Sequence, residues 1–169
     1  MSGIDMTPKI AEVINSWQIC FPTDANPGGT MFGGKLMAIM DITGGIAASR
    51  FCGRPVVTAS TEAMGFKSPV KVGDRIETRA RVVWVGKTSL VVKVDVFAEK
   101  PLTGERNHCT TAHFNFVALD ENGRPTPVPR LKLQTDEDRQ LHEIAGIVKK
   151  KALERKAHIQ KQREADKED

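Results

Sequence analysis

The chain has 169 residues, of which 40% are hydrophobic and 27% are charged, and its formal net charge is +4 at pH 7. This composition is typical of a globular chain that can bury a core, and it argues against a disordered or fibrous one. No apolar run approaches the roughly 20 residues that span a bilayer, the N-terminal MSGIDMTPKI lacks the features of a secretory signal, and basic and aromatic residues do not interleave as they do in nucleic-acid-binding chains.

The first predicted element is a strand within residues 11–21 that ends near Phe21. A loop, PTDANPGGT, follows at residues 22–30, because its two prolines prevent regular pairing and its adjacent glycines permit positive φ angles. The apolar side chains that we expect on one face of the strand are Val13, Trp17, Ile19 and Phe21.

A long helix is predicted to begin at residues 32–34 and to end at residues 51–53. Nearly all its side chains are apolar or small, and they go round the whole helix, which is typical of a helix buried on all sides. Asp41 lies in its middle, and an ionised carboxylate in such a place is costly unless it is paired or used. Gly44 and Gly45 each cost about 1 kcal/mol relative to alanine in a helix. We therefore expect a partner backbone or a ligand to approach the helix there.

Four strands joined by turns follow this helix. They are predicted at residues 54–66, 75–85, 89–98 and 109–119. Polar and apolar side chains alternate along them, as in strands with one buried face, and His113 is expected on the outer or an interface face. A sheet of this size can curl round one helix. The pattern therefore predicts an α+β fold, in which a curved antiparallel sheet wraps one long central helix.

The chain is predicted to divide into a domain at residues 1–133 and a charged helical extension at residues 134–169. The extension carries nine basic and nine acidic residues, so the positive excess lies in the domain, where it suits a phosphorylated small ligand. Apolar residues recur at helical spacing from residue 141 to 153, which predicts a surface helix that packs on the domain or on a neighbour. The balanced charge argues against a membrane-binding helix.

The cysteines and histidines carry little chemical signal. Cys20, Cys52 and Cys109 are odd in number, widely spaced and without a CxxC pair, which indicates reduced, buried thiols in a cytoplasmic protein. No cluster has the spacing of metal ligands, and no Ser/His/Asp triad is indicated.

Asp41 and the glycine-rich segment at residues 28–34 are the candidates for chemistry, and each has two interpretations. Asp41 could act on water as a general base, with the Asn26 amide holding water or substrate, or it could be a structural carboxylate. The glycine-rich segment does not have the spacing of a P-loop. It could direct backbone N–H groups at a developing oxyanion, or it could only allow tight packing.

Three spaced motifs carry a family resemblance. They are Asn26-x-x-Gly29-Thr30-x-Phe32-Gly33-Gly34, Met40-Asp41 and Val56-Val57-Thr58. In this order they resemble the hotdog-fold acyl-CoA thioesterases, specifically the cytosolic acyl-CoA hydrolase (YciA/BACH-like) group. PVKVGD at residues 69–74, GKTS at residues 86–89 and FVALD at residues 116–120 extend the match, which covers residues 19–129.

The resemblance implies a hotdog fold, in which the sheets of two subunits join, and often a hexamer built as a trimer of dimers. It implies active sites between subunits, with Asp41 as the catalytic carboxylate, Asn26 as its partner from the other protomer and Thr58 helping to hold water or the carboxylate. The N–H groups of Gly33 and Gly34 would polarise the thioester carbonyl. The implied CoA-binding residues are Phe66, Lys67, Ser68, Gly86, Lys87, Thr88 and Ser89, with the two lysines as phosphate ligands.

The implied activity is hydrolysis of acyl-CoA to a free carboxylic acid and CoA, with Asp41 as general base or as nucleophile. CoA is then part of substrate and product, and no separate cofactor or metal is expected. The expected partners are acyl-CoA and further copies of the chain, without nucleic acid. An alternative is a non-catalytic acyl-CoA sensor on the same fold. A hydratase is disfavoured because no suitable Asp/His pair occurs. The preferred acyl chain length stays open, because Thr43-Gly44-Gly45 departs from the family pattern where the acyl tunnel is expected.

Overall fold

In a computed structural model, which describes residues 5–165, one long helix lies on the inner face of a five-stranded antiparallel sheet and a second helix lies on the outer face. The strands are β1 (Ile14–Ile19), β2 (Val56–Thr61), β3 (Arg75–Val85), β4 (Ser89–Glu99) and β5 (Arg106–Ala118), and the helices are α1 (Gly33–Cys52) and α2 (Asp136–Ala165). The strand order is β1-β3-β4-β5-β2. The predicted α+β architecture is confirmed.

Helix α1 begins and ends where the sequence predicts. Phe32 precedes its first turn and accepts the N–H groups of Lys35 and Leu36. Gly53 ends it in the left-handed region at a φ of 65°, a conformation that suits glycine. The helix and the inner face of the sheet form the main core, whose largest buried side chains include Leu36, Met40, Phe51, Ile76, Leu90, Phe114 and Phe116.

The mid-helix glycines face the sheet of the same chain. A Cβ atom placed on Gly44 would lie 3.2 Å from the Phe116 ring and 3.4 Å from a methyl carbon of Val94. Gly45 has the same ring at 3.7 Å. The expectation that a partner backbone or a ligand approaches there is wrong, because Phe116 already occupies this space.

Helix α1 is not buried on every side, and in this respect the sequence prediction is wrong for the single chain. Ala38, Ile42 and Ile46 recur every four residues along one exposed side, with 64% of Ile42 and 44% of Ile46 exposed. Asp41 beside them is half-buried. We refer to Ala38, Ile42 and Ile46 as the exposed stripe of α1.

Strand β1 presents the predicted apolar face to solvent rather than to the core. Its opposite face, which includes Ile14, packs against the core. The prediction that four apolar side chains share a face is therefore right, but that face is the exposed one. The four exposed side chains are Val13, Trp17, Ile19 and Phe21.

The end of β2 and the start of β5 differ most from the prediction. Strand β2 ends at Thr61, five residues before the predicted end, because residues 62–66 leave the sheet after the Glu62 N–H has bonded to the His113 carbonyl oxygen. Strand β5 begins three residues early, at Arg106, because it continues to pair with β4 as far as Glu99. His113 lies on the outer face as predicted, and it is buried there.

Helix α2 packs by its first half on the outer face of the sheet. Ala145 is fully buried against Val83 and Val91. A Cβ atom placed on the next residue, Gly146, would lie 3.7 Å from the Trp84 ring nitrogen. Beyond residue 152 every described position of the helix is exposed. The predicted packing on the domain is confirmed, whereas the division of the chain at residue 133 stays a prediction.

The start of α2 is fixed by a buried carboxylate. Asp138 accepts the N–H groups of Gln134 and Thr135 over 2.8 Å and 3.1 Å, and Arg81 of β3 lies 2.5 Å away. The Gln134 backbone N–H, together with Thr135 and Arg81, lowers the pKa of Asp138 to about 2.

Across residues 5–165, neither this helix nor α1 is long and apolar enough to cross a membrane.

Candidate active site

Asp41 and Thr58 are in direct contact. The Thr58 hydroxyl donates to Asp41 Oδ1 over 2.6 Å. Thr58 pairs with Phe116, whose ring packs on α1, so the hydroxyl points to the helix side of the sheet. We call Asp41 and Thr58 the carboxylate pair. Both residues are reachable from solvent in the single chain.

The Asn26 amide is held by its own loop. Its oxygen accepts the backbone N–H groups of Gly28, over 3.0 Å, and Thr30, over 3.3 Å, and its nitrogen donates to the Thr30 hydroxyl over 3.0 Å. The two backbone donors fix which end of the amide is oxygen. One amide hydrogen remains, so Asn26 can donate to a further group but has little capacity left to accept.

A pocket of about 330 Å³ opens between this loop and the start of α1. The N–H groups of Gly33 and Gly34 belong to the first turn of the helix, which leaves such groups without intrahelical acceptors. A Cβ on Gly33 would lie 3.5 Å from the Phe66 ring, so this wall of the pocket is narrow. The residues that line the pocket are Asn26, Thr30, Met31, Gly33, Leu36, Phe66, Lys67, Ser68, Pro69 and Val70.

The pocket thus brings together five of the predicted site residues, but it does not include the carboxylate pair. Asp41 lies eight residues beyond Gly33 along α1, which is about 12 Å at the helical rise. Within one chain the predicted oxyanion donors and the predicted catalytic carboxylate are therefore separate.

The turn at Gly86–Ser89 lies at the opposite end of the sheet from the pocket. Ser89 pairs with Val117, whereas the Lys67 N–H donates to the carbonyl oxygen of Cys109 over 2.8 Å. The eight residues of β5 between these points correspond to about 26 Å. The two predicted CoA-binding segments therefore do not meet in one chain.

The Gly86–Ser89 turn is nevertheless level with the carboxylate pair, since Leu90 and Thr58 both pair with Phe116. Its backbone is tightly fixed: the Gly86 N–H bonds to the Ser89 carbonyl oxygen over 2.8 Å, and a Cβ on Gly86 would lie 2.9 Å from the Trp84 ring. The side chain of Lys87 is exposed, as is that of Lys67 beside the pocket. Both ammonium groups are free to meet phosphates.

Sequence reasoning missed four residues that tie β2 to β5. Asn115 donates to the Ser60 hydroxyl oxygen over 3.0 Å, and His113 Nδ1 contacts Glu62 Oε1. The available signal was the spacing. His113 and Asn115 lie two positions apart on β5, and Ser60 and Glu62 have the same spacing at the end of β2. Residues two positions apart on a strand share a face, so each pair of polar residues could have been placed on one side of the sheet.

The cysteines take no part in this geometry. Cys20, Cys52 and Cys109 are free and buried. Burial raises the pKa of each thiol, so the thiols stay protonated near neutral pH and are poor nucleophiles. Within residues 5–165, no three His, Cys, Asp or Glu side chains are grouped closely enough to hold a metal ion.

Comparison with known families matches residues 28–105 to the thioesterase superfamily. The chain is 40% identical over 152 residues to YkhA of Bacillus subtilis, described as an uncharacterized acyl-CoA thioester hydrolase, with 90% of this chain and 88% of YkhA covered. It is 39% identical over 132 residues to the acyl-CoA thioester hydrolase YciA of Salmonella typhimurium, with 76% of this chain and 98% of YciA covered.

Solved structures agree with these relatives. An apo-hexameric acyl-CoA thioesterase is 37% identical with a TM-score of 0.85, covering 89% of this chain and 98% of its own. The acyl-CoA hydrolase of Staphylococcus aureus in complex with butyryl coenzyme A, coenzyme A and coenzyme A disulfide is 32% identical with a TM-score of 0.80, covering 88% and 91%. Alanine variants of that enzyme at one asparagine, one threonine and one aspartate have TM-scores of 0.79–0.84 at 30–31% identity, covering 88–92% and 91–95%.

Proposed function

Because the chain belongs to the thioesterase superfamily, and within it to the acyl-CoA thioester hydrolases, we propose that it hydrolyses acyl-CoA to a carboxylic acid and CoA with Asp41 as the reacting carboxylate. The observation that carries the assignment of Asp41 is the hydrogen bond from Thr58, which orients a solvent-accessible carboxylate in the largely apolar middle of α1. An oriented carboxylate within reach of water is what general-base or nucleophilic catalysis needs.

The spacing of three residues supports this assignment. The asparagine, aspartate and threonine replaced in the S. aureus variants are separated by 15 and 17 residues. Asn26, Asp41 and Thr58 are separated by the same 15 and 17 residues. We infer that the two chains use the same three side chains.

On this proposal each active site joins two subunits. The carboxylate pair of one subunit meets Asn26 and the start of α1 of the other. The distance of about 12 Å along α1 between Gly33 and Asp41 in one chain supports this arrangement, as do the exposed stripe and the position of β2 at the edge of the sheet. We propose further that two β2 edges join into one sheet and that three such dimers form a hexamer, and the apo-hexameric relative supports the number of subunits.

The reaction needs a donor to the carbonyl oxygen and an attacking group at the carbonyl carbon. The remaining amide hydrogen of Asn26 and the N–H groups of Gly33 and Gly34 supply donors for the oxyanion. Asp41 either removes a proton from water as it attacks, or attacks directly to form an anhydride that water then cleaves. In both routes the C–S bond breaks, the thiolate leaves with a proton, and water supplies the new carboxylic oxygen.

CoA binding is assigned to the two exposed lysines and their neighbours. Lys67, with Phe66 and Ser68, stands at the pocket, and Lys87 stands on the turn level with the carboxylate pair. The S. aureus relative bound to coenzyme A supports this ligand class. CoA is then part of the substrate and product, no separate cofactor is required, and we expect the protein in the cytoplasm.

The test is thiol release from a panel of acyl-CoA esters, followed with a chromogenic thiol reagent. Asp41→Asn should lower kcat about 100- to 10,000-fold and leave the circular dichroism spectrum unchanged. The matched control is Asp136→Asn, which changes an exposed carboxylate at the start of α2, on the opposite face of the sheet from the carboxylate pair. Near-normal turnover by the Asp41 variant would refute its role, and acyl-CoA binding without thiol release would favour a sensor.

A further inference from the structure

Strand β2, which carries Thr58, is weakly held by apolar packing. It is the edge strand of the sheet and pairs only with β5 within residues 5–165. Val57, Thr58 and Ala59 are all exposed. In the single chain, Val56 is the apolar side chain of β2 that packs on the core. Specific side-chain contacts therefore have a large influence on the register of this strand.

A β-bulge at Ala59 sets the faces of the residues on either side of it. Thr58 pairs with Phe116 and Ser60 pairs with Asn115, so Ala59 is an extra residue. In an unbroken strand Thr58 and Ser60 would share a face. The bulge instead directs Thr58 to the helix side and Ser60 to the outer side, a re-aiming that is typical of bulges beside active sites.

On the outer face, Ser60 near the end of β2 and Glu62 just beyond it are tied to buried partners on β5. The Asn115 amide donates to the Ser60 hydroxyl over 3.0 Å, and Glu62 Oε1 accepts the His113 backbone N–H over 3.1 Å and also contacts the His113 ring. Only 2% of Asn115 and 6% of His113 are exposed. We call Ser60–Asn115 and Glu62–His113 the register ties.

The register ties oppose a slip of β2. A shift of one residue would turn every β2 side chain to the opposite face, so Thr58 would leave Asp41. The same shift would leave Asn115 and His113 buried without their partners, at a cost of about 1–3 kcal/mol for each. The native register is therefore favoured by groups that do not touch the carboxylate pair.

We propose that Ser60–Asn115 and Glu62–His113 are positioning pairs, which fix the register of β2 and thereby hold the Thr58 hydroxyl on Asp41. They act through Thr58 and do not contact substrate. The kinetic consequence rests on the proposed function, whereas the geometric consequence does not.

The geometric test is a crystal structure of the double variant Ser60→Ala, Glu62→Ala. Ser60 and Glu62 are both half-buried, at the end of β2 and just beyond it, so the core is untouched. We expect the Thr58 hydroxyl to leave Asp41 Oδ1, with disorder or a shifted register in β2. A Thr58–Asp41 bond that stays at its original 2.6 Å would overturn the proposal. If the double variant does not fold, the Ser60→Ala single variant is used with the same criterion.

The kinetic test is a double-mutant cycle with Thr58→Val. Loss of the ties should lower kcat about 10- to 100-fold, the effect of misplacing a reacting group, with KM unchanged. In the Thr58→Val background the same change should have no further effect, because its target is gone. Independent, additive losses would show a general structural role and overturn the proposal.

Two controls complete the cycle. The conservative variant Ser60→Thr, Glu62→Gln keeps a hydroxyl and a carbonyl acceptor and should restore most of kcat. Thr78→Val changes a fully buried threonine on β3, away from β2, and should leave kcat unchanged. If the wild-type protein releases thiol from no acyl-CoA, the proposed function fails, and the crystal structure alone decides the positioning proposal.

Discussion

The side chains of Thr58 and Asp41, 17 residues apart in the chain, meet over 2.6 Å. The contact joins the middle of α1 to the edge strand β2, so it exists only when both elements are seated on the same sheet. The orientation of this carboxylate therefore depends on tertiary packing rather than on local sequence. Substitutions that shift either element should change turnover without altering any group that reacts.

Asn26→Asp tests the donor role of the amide. The carboxylate can still accept the N–H groups of Gly28 and Thr30, so the loop should keep its shape. It cannot donate to the carbonyl oxygen, and loss of one oxyanion donor lowers kcat about 100-fold or more. Thiol release measures this loss. Asn122→Asp in an exposed turn is the matched control, and an unchanged kcat for the Asn26 variant would limit Asn26 to holding its loop.

Mixing two inactive variants tests whether sites are shared between subunits. Asp41→Asn and Asn26→Asp proteins are denatured together, refolded and assayed for thiol release. Random dimers in which each site uses one residue from each chain should recover about a quarter of wild-type activity. Recovery to no more than the level of the separate variants would place both residues in the site of one chain.

Ile42→Asp tests the exposed stripe of α1. With 64% of Ile42 exposed, the charge is tolerated in the single chain, but it would be costly in an apolar interface. Light scattering should show a smaller species, and thiol release should fall with it. Leu102→Asp, at a position 98% exposed in the β4–β5 turn, should leave both unchanged. A variant that keeps the wild-type mass would contradict an interface at this stripe.

Asp138→Asn tests the anchoring of α2 and its dependence on pH. The pKa of Asp138 is lowered to about 2 in the folded chain, chiefly by the Gln134 N–H. The unfolded chain therefore binds the proton more readily, and the stabilisation is complete above about pH 5 and lost as the pH falls towards 2. We expect the free energy of unfolding of wild type to exceed that of the variant by about 2 kcal/mol at pH 7.

The measurement for Asp138 is urea unfolding followed by circular dichroism at several pH values. The difference between wild type and variant should shrink between pH 4 and the folded pKa of about 2. Asp136→Asn is the control in the same helical turn, because its carboxylate is exposed and its pairing with Arg139 contributes little. A difference that does not depend on pH would contradict the anchoring role.

Local patterns were sufficient to predict much of the fold. Helix α1 was predicted because Phe32 and Gly53 bound a run of apolar residues, and β3 was predicted because its polar and apolar residues alternate from Arg75 to Val85. The carboxylate pair could be predicted only through the family resemblance. Nothing in the spacing of Asp41 and Thr58 says that a helix and an edge strand will meet.

The remaining differences have non-local causes. The early end of β2 depends on Glu62 reaching His113, 51 residues away. The role of Gly44 depends on the Phe116 ring, which the helix meets only after the sheet has formed. Composition alone cannot distinguish the exposed stripe of α1 from a buried face, because the apolar side chains of a subunit interface are of the same types as those of a core.

Phe116 has a consequence for how this site tolerates change. Its ring limits how closely α1 can approach at Gly44, and its backbone pairs with Thr58. The size of this one aromatic ring therefore sets the distance between the helix that carries Asp41 and the strand that carries Thr58. A smaller residue at position 116 would let α1 move closer to the sheet, and a larger one would push it away. The alignment of Asp41 with Thr58 should therefore be more sensitive to the size of this core side chain than to substitutions at many residues nearer the substrate.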